Sequence, residues 1–221
     1  MFTTASADLI DYNLHNYLAK LKKPVIISTG MSSKNDIKKT VQIYKKNKNL
    51  NIALLHCVSN YPCSIKSINL NVLNTLKKFG FIVGYSDHSD DILIPCLAVS
   101  AGSRIIEKHF TLNRNLKGPD HKASFNSYEL KKMIAQIRKT ELAMGNKTKK
   151  IQLEELEMSK ISKKSLYFNK NLKQGSKIKN TDLISLRPGL GINPFSINKI
   201  IGKRLKTNIK KNQIVKFNLL F

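Results

Sequence analysis

The stretch from Phe81 to His88, FIVGYSDH, decides the fold of this chain. It begins as a short apolar run of the kind found in buried strands, and polar side chains follow at its end. A second stretch, Ile105 to Phe110 (IIEKHF), has the same design further along the chain. We therefore predict two neighbouring parallel strands, each ending in residues that can carry chemistry.

Apolar runs and amphipathic stretches alternate through residues 24 to 144, which is typical of a parallel sheet covered by helices and predicts the α/β class. Strands are predicted over 24–28, 51–58 and 81–86, and from Arg104 onward. The predicted helices are one capped by Ser33, one through Ile68 to Gly80, one over 92–101, and one from near Ser127 to Gly145. The last of them carries an apolar stripe formed by Leu130, Met133, Ile134, Ile137 and Met144.

Polar residues fall at the carboxyl ends of the predicted strands. These residues are Ser28, His56, Ser86, His88 and His109. In barrels and in open α/β sheets this edge carries the active site, so we expect the functional residues to meet there.

The residue composition and the pattern of apolar residues change after residue 145. We predict a partial barrel domain over 1–145 and a charged helical linker over 146–162. Residues 163–221 contain short apolar runs separated by Gly and Pro, which predicts a small β-rich domain.

The net charge of +25 raises nucleic-acid binding as an alternative function. The excess is nearly all lysine and is spread along the chain. Aromatic residues are not interleaved with it, and arginine is scarce. We therefore expect a solvated lysine surface that concentrates anionic substrates, and no nucleic-acid partner.

The sequence also favours a cytoplasmic protein without membrane contact. No apolar run reaches the length of a membrane span, and the first residues lack the segments of a secretory signal. Three scattered cysteines, Cys57, Cys63 and Cys96, do not form the pattern of a disulfide framework.

His88 and His109 follow neighbouring predicted strands, so their imidazoles could share one divalent metal. The alternative is a pair of structural, hydrogen-bonded histidines. Strand alternation points Asp87 and His88 to different sides, so Asp87 adds little to a metal site. A zinc site at His56, Cys57 and Cys63 is a weaker alternative, because no CxxC pair is present.

Two glycine-containing segments leave further alternatives open. Ser28 to Met31 (STGM) can bind phosphate through backbone N–H groups, or can form a tight turn between a strand and a helix. Gly118 to His121 (GPDH) is either a turn or a loop that delivers the Asp120 carboxylate.

Taken together, six strings make the sequence resemble the sialic acid synthases. They are Ser28–Met31, His56–Pro62, Gly84–His88, Glu107–Thr111, Gly118–Ser124 and Arg187–Gly189, in the order and spacing of that family. The resemblance implies the C-terminal part of a (β/α)8 TIM barrel with its N-terminal strands missing. A small antifreeze-like (SAF) domain, of the β-clip type, is expected to follow.

The resemblance also implies an enzyme, a transferase that forms a C–C bond. The family condenses phosphoenolpyruvate with an N-acetylmannosamine-type sugar, giving a nine-carbon 2-keto acid and phosphate. His88 and His109 match the catalytic residues that hold a divalent metal, Mn²⁺ or Mg²⁺, which would polarise the sugar aldehyde. Ser6, Ser28 and Ser86 match contacts to the phosphate of phosphoenolpyruvate, and Tyr61 and Asp120 match other substrate contacts. Arg187 matches an arginine of the SAF domain. In a homodimer with exchanged SAF domains, this arginine would enter the barrel of the partner subunit.

The chain departs from the family in two ways. Ser59 stands where some members have Asn. The resemblance also places the segment from Thr4 to Asp8 at the end of the fourth barrel strand, so the first three strands and their active-site residues would be missing. An incomplete barrel leaves an unpaired sheet edge, and we expect the chain alone to be inactive or nearly so.

Other functions stay open from the sequence. The SAF domain could serve a non-catalytic protein that binds a carbohydrate or another partner. Within the family, the segment from Gly118 to Ser124 favours an N-acetylneuraminate or legionaminate synthase over a pseudaminate synthase.

Overall fold

A computed structural model describes all residues from 1 to 221. The chain divides into two compact units, residues 1–146 and residues 147–221. The first unit, 1–146, alternates strands and helices, and the second unit, 147–221, consists of short strands and turns. None of the helices combines the length and the apolar character that crossing a bilayer requires.

Five parallel strands form the sheet of the first unit, and their spatial order is their order along the chain. They are β1 (Phe2–Thr4), β2 (Val25–Ser28), β3 (Ile52–Cys57), β4 (Ile82–Asp87) and β5 (Ile106–Lys108). Sequential parallel strands joined by helices form the curled sheet of a partial barrel. The predicted α/β class is therefore confirmed.

Six helices accompany this sheet. They are α1 (Tyr12–Lys20), α2 (Lys34–Lys46), α3 (Ile65–Ile68), α4 (Val72–Lys77), α5 (Leu93–Ser100) and α6 (Ser127–Met144). The two longest begin with capping boxes, Ser33 with Asp36 for α2 and Asn126 with Glu129 for α6. Each box satisfies backbone N–H groups that the first helical turn leaves unpaired, which explains where these helices start.

Two predictions about the helices were wrong in detail. The single helix expected through Ile68 to Gly80 is two short helices, α3 and α4. Asn69, with a φ of 46°, adopts the left-handed conformation between them and ends the first. The apolar stripe predicted for α6 is narrower than expected, because Met133 and Ile137 are buried but Ile134 and Met144 are exposed.

Alternation along the strands separates the two faces of the sheet. One face packs against the helices and supplies most of the core, including Ile27, Leu54 and Val83 of the largest apolar cluster. Tyr85 continues this face along β4 and packs with a second cluster that includes Ile94. The opposite face carries Ser28, Cys57 and Ser86 towards the carboxyl ends of the strands.

The second unit contains fewer strands than its sequence predicted. It has one helix, α7 (Leu156–Ser162), and two antiparallel strands, β6 (Ser165–Phe168) and β7 (Leu183–Leu186). Isolated bridges such as Tyr167 with Ile214 and several 3₁₀ turns complete it. Its own apolar core includes Leu166, Phe168, Ile178, Leu183, Ile200, Leu205 and Val215.

Candidate active site

The segments that follow β1, β2 and β3 converge at the carboxyl edge of the sheet. The Gly30 backbone N–H donates to Ser6 Oγ at 3.0 Å. A Cβ atom on Gly30 would lie 2.4 Å from Ser59 Oγ and 2.7 Å from Ser6 Oγ, so two hydroxyls surround this glycine. Only a residue without a side chain fits there, and the arrangement offers small hydrogen-bonding groups to an anion.

His88 follows β4 directly and is buried. Its Nδ1 lies 2.9 Å from the Val58 carbonyl oxygen. A carbonyl oxygen only accepts, so Nδ1 carries the hydrogen and donates it. In the neutral ring this leaves a lone pair on Nε2, the state that a metal ligand requires.

His109 follows β5 and meets His88 at the same edge of the sheet. The two imidazole centroids are 5.3 Å apart, with the rings nearly perpendicular. Tyr61 covers both, with its ring centroid 4.1 Å from that of His88 and 5.3 Å from that of His109. Asp120 Oδ2 lies 3.9 Å from His109 Nδ1. The structure thus brings four of the predicted site residues together.

A short loop network holds the segment that carries Asp120. The Asp120 carbonyl accepts from Ser124 Oγ at 2.6 Å, and Thr111 Oγ1 lies 2.7 Å from His121 Nδ1. The Phe125 N–H donates to the His109 carbonyl at 3.0 Å. The Gly118–His121 segment is therefore a loop that delivers a carboxylate towards the histidine pair.

Cys57 lies beside His88 on the interior face of the sheet. Its Sγ is 3.8 Å from His88 Nδ1 and 3.7 Å from Ser59 Oγ. Burial alone would raise the pKa of Cys57, but hydrogen bonds to His88, Ser6 and Ser59 lower it below its ordinary value. Burial alone would lower the pKa of His88, but its bonds to Cys57 and Val58 raise it above 6.5.

Glu107 lies beside the predicted site residue Ser86 and was not itself predicted to be one. It lies in register with Ser86, which lies in register with Cys57, so the three form one row across β3, β4 and β5. Ser86 Oγ donates to Glu107 Oε1 at 2.7 Å. Strand alternation contained the signal, because Glu107 is two residues before His109 and must share its face.

Ser28, Arg187 and His56 were also singled out from the sequence. Ser28 is buried at the end of β2 on the face that also carries Ser86. Arg187 follows β7 in the second unit and is exposed. His56 faces the helices, where its Nε2 lies 2.6 Å from the Ile68 carbonyl oxygen, so it is a structural histidine and no part of a zinc site.

The histidine pair fits a divalent metal that keeps open coordination positions. No cluster of three or more His, Cys, Asp or Glu side chains arranged to hold a metal is present. Two imidazoles with an orienting bond at His88 could serve as two ligands of a divalent cation, with the other positions left to water or substrate oxygens. The donor set does not resemble a closed structural zinc site.

These features define an α/β protein with a polar, histidine-containing site at the carboxyl edge of a partial barrel. The NeuB family model matches residues 1–149, and the SAF domain model matches residues 163–220. The chain belongs to the NeuB family, and it carries a SAF domain after the barrel segment.

Named relatives agree with this assignment. The chain is 40% identical over 209 residues to N,N'-diacetyllegionaminic acid synthase of Legionella pneumophila, a match that covers 92% of this chain and 59% of the relative. It is 36% identical over 217 residues to pseudaminic acid synthase of Campylobacter jejuni, covering 97% and 63%. The chain thus spans roughly three fifths of the length of these relatives.

A solved structure gives the same result. The N-acetylneuraminic acid (sialic acid) synthetase of Leptospira borgpetersenii, determined in complex with citrate, superposes with a TM-score of 0.66 at 39% identity. The match covers 71% of this chain and 55% of that one. The relationship to sialic acid synthases that the six strings indicated is therefore confirmed.

Proposed function

We propose that this chain belongs to a synthase that condenses phosphoenolpyruvate with an N-acetylated hexosamine. The products would be a nine-carbon 2-keto acid of the sialic acid type and phosphate. The single observation that carries the proposal is the convergence of His88, His109, Tyr61 and Asp120 at one sheet edge. Family membership supplies the reaction class, and the site supplies groups suited to it.

We propose that His88 and His109 hold a divalent metal, Mn²⁺ or Mg²⁺. When bound, the metal supplies Lewis acidity that polarises a carbonyl oxygen. The Nδ1 hydrogen bond to Val58 fixes the orientation of His88, and the Tyr61 ring packs against both imidazoles. Asp120, which is largely exposed, is placed to accept hydrogen bonds from sugar hydroxyls.

The phosphate of phosphoenolpyruvate is proposed to bind beside Ser6, Gly30 and Ser59. Two hydroxyls and a backbone N–H meet there around a glycine, and Ser28 ends the same strand. Ser86 is also a proposed phosphate contact. Its hydrogen is donated to Glu107, so a phosphate oxygen would compete with that carboxylate.

We also propose a substrate type, a cellular location and an oligomeric state for this protein. Greater identity to a legionaminic acid synthase than to a pseudaminic acid synthase supports a substrate of the N-acetylneuraminate or legionaminate type. We place the enzyme in the cytoplasm, where its three free cysteines would stay reduced. A homodimer with exchanged SAF domains would let the exposed Arg187 reach the partner's substrate.

We propose that the 221-residue chain turns over slowly or not at all alone. Its sheet has five strands with β1 and β5 at open edges, and a closed barrel of this class draws active-site residues from eight. Phosphate release from phosphoenolpyruvate, N-acetylmannosamine and Mn²⁺ measures this directly. Robust turnover by the chain alone would contradict this statement about its activity.

Metal binding tests the site independently of turnover. Mn²⁺ titration followed by electron paramagnetic resonance should show one site in the chain. His88→Ala and His109→Ala should each weaken binding by more than about 100-fold, since even the loss of an outer-shell partner costs about 10- to 100-fold. His121→Ala, which removes a nearby histidine outside the pair, is the control. Equal Mn²⁺ binding in all variants would refute the proposed metal site.

A further inference from the structure

A buried ion pair joins β4 and β5 on the face of the sheet opposite the active site. Lys108 Nζ lies 2.8 Å from Asp87 Oδ2, and the two side chains are 3% and 0% exposed. The two residues are partners in the strand register. Each immediately precedes a proposed metal ligand, Asp87 before His88 and Lys108 before His109.

The pair fixes the backbone on both sides of His88. Asp87 Oδ1 accepts from the Ser89 N–H at 3.0 Å, and Lys108 Nζ donates to the Ser89 carbonyl. His88 therefore lies between two residues that one network restrains. Asp87 points away from His88 because successive residues along a strand point to opposite faces. Lys108 is the register partner of Asp87 and lies on the same face.

The same network reaches the backbone at His109. Lys108 Nζ lies 4.0 Å from the centroid of the Phe125 ring, which is buried. The Phe125 N–H donates to the His109 carbonyl at 3.0 Å. A single ammonium group thus contacts segments adjacent to both histidines, although it cannot itself touch a cation held between them.

An ion pair at this place needs a reason beyond stability. Removing two charges from water is costly, and apolar residues of similar volume often stabilise a fold as well or better. In the preceding register pair on the same face, Tyr85 with Ile106, the aromatic ring and the aliphatic side chain pack in an apolar cluster without an ion pair. What the ion pair adds is directional bonding that fixes the spacing of the two strand ends.

We propose that Asp87 and Lys108 are positioning residues, which hold His88 and His109 so that both imidazoles converge on one divalent cation. This inference rests on the metal site of the proposed function. In this proposal, neither Asp87 nor Lys108 contacts the metal or the substrate. The effect on the cation passes only through the backbone at the two strand ends.

The ion pair carries no net charge, which makes the proposal testable. Replacing both residues by apolar side chains leaves the net charge near the proposed cation unchanged, so an effect of net charge alone predicts little change in Mn²⁺ affinity. A positioning role predicts weaker binding. Loss of outer-shell support typically weakens metal binding by about 10- to 100-fold.

The experiment compares Mn²⁺ affinity in the full chain by electron paramagnetic resonance, with circular dichroism to establish folding. Lys108→Met alone leaves the Asp87 charge buried and unpaired, which endangers folding. The principal variant is therefore the double substitution Asp87→Leu with Lys108→Met, which replaces the pair by apolar side chains. Arg138→Met, which breaks the exposed pair with Glu141, is the control for loss of a cation.

We expect the folded double variant to bind Mn²⁺ at least about 10-fold more weakly, with Arg138→Met unchanged. A folded double variant with wild-type or tighter affinity would overturn the proposal. If the double variant does not fold, the Mn²⁺ affinity of Lys108→Arg is measured instead. This substitution keeps the charge but changes the geometry of the hydrogen bonds, so we expect weaker Mn²⁺ binding. Unchanged affinity in that variant would then overturn the proposal. Failure of the wild-type chain to bind Mn²⁺ would instead refute the metal site.

Discussion

His88 illustrates how residue-scale contacts prepare a ligand. Donation of the Nδ1 hydrogen to the Val58 carbonyl selects the tautomer, and Tyr61 covers the ring. Cys57 completes the surroundings at 3.8 Å from Nδ1. A metal must compete with the second proton of this imidazole, so its protonation equilibrium determines metal affinity.

The first residue-scale prediction concerns pH. Because the pKa of His88 is raised above 6.5, we expect Mn²⁺ affinity to fall as the pH decreases through that raised value. The neutral ring binds and the imidazolium does not, so affinity should be constant well above this midpoint. Mn²⁺ titrations between pH 5.5 and 8.5, a range that brackets the usual histidine pKa of about 6.5, measure the midpoint. A midpoint below 6.5 would contradict the expected direction.

The second residue-scale prediction concerns Gly30. An alanine Cβ there would overlap the Ser6 and Ser59 hydroxyls, so Gly30→Ala should displace them and fill the anion position. We expect phosphoenolpyruvate binding, measured by calorimetry, to weaken by at least about 10-fold, the equivalent of about 1.4 kcal/mol. Met31→Ala, at the exposed neighbouring position, is the control and should bind normally. Unaltered binding by Gly30→Ala would place the phosphate elsewhere.

At the scale of elements, short polar contacts decide where strands and helices begin. The capping boxes at Ser33 and Asn126 start α2 and α6. In the second unit, Asp182 immediately precedes β7. Its carboxylate accepts from the Lys179 N–H at 2.9 Å and pairs with Lys170 Nζ at 2.7 Å. This side chain anchors the turn that returns the chain to β6.

Asp182 gives a prediction for stability against pH. Burial alone would raise its pKa, but the bonds to Lys170 and Lys179 lower it below 3.8. Its stabilising contribution is therefore complete above the unfolded-state pKa and is lost as the pH falls through the folded value. Asp182→Asn should cost about 1 kcal/mol at pH 7, a value reduced because Lys170 is half exposed.

Hydrogen exchange of the β6 amides in wild type and Asp182→Asn measures this difference. We expect faster exchange in the variant at neutral pH. The difference should stay constant down to about pH 4, near the ordinary carboxyl pKa, and should shrink only as the pH falls further through the lowered pKa of Asp182. Glu157→Gln, which removes an exposed carboxylate of the same unit, is the matched control. A difference that persists unchanged at low pH would exclude the carboxylate as its source.

At the scale of the whole molecule, the net charge of +25 dominates the long-range electrostatic field. The charge favours the approach of anionic substrates to any part of the surface. Many lysines are exposed, whereas close to the histidine pair the Asp120 carboxylate lies 3.9 Å from His109 Nδ1.

At this scale, we predict that the chain binds duplex DNA weakly and without preference for sequence. Binding should fall steeply between about 50 and 200 mM salt, as expected for counterion release alone. Fluorescence anisotropy with two unrelated duplexes of equal length measures it. Affinity that differs between the duplexes and survives 200 mM salt would support the nucleic-acid function that the lysine distribution argues against.

The sequence by itself determined the strand ends and their chemistry. Continuous apolar runs located β2 to β4, and the alternation of side chains along a strand places His88 and Ser86 on one face and Asp87 on the other. The same alternation places Glu107 on the face of His109, two residues further along the chain. These features depend on neighbouring residues along the chain, so local patterns are sufficient to reveal them.

Only the tertiary structure decided which distant groups meet. Ser6, Gly30 and Ser59 belong to three connections, and their convergence depends on the parallel register of β1, β2 and β3. The left-handed Asn69 divides a helix that periodicity predicted as continuous. The 2.8 Å pair of Asp87 with Lys108 likewise depends on the register of β4 with β5. Such contacts arise from packing between segments far apart in the chain, and no local propensity specifies them.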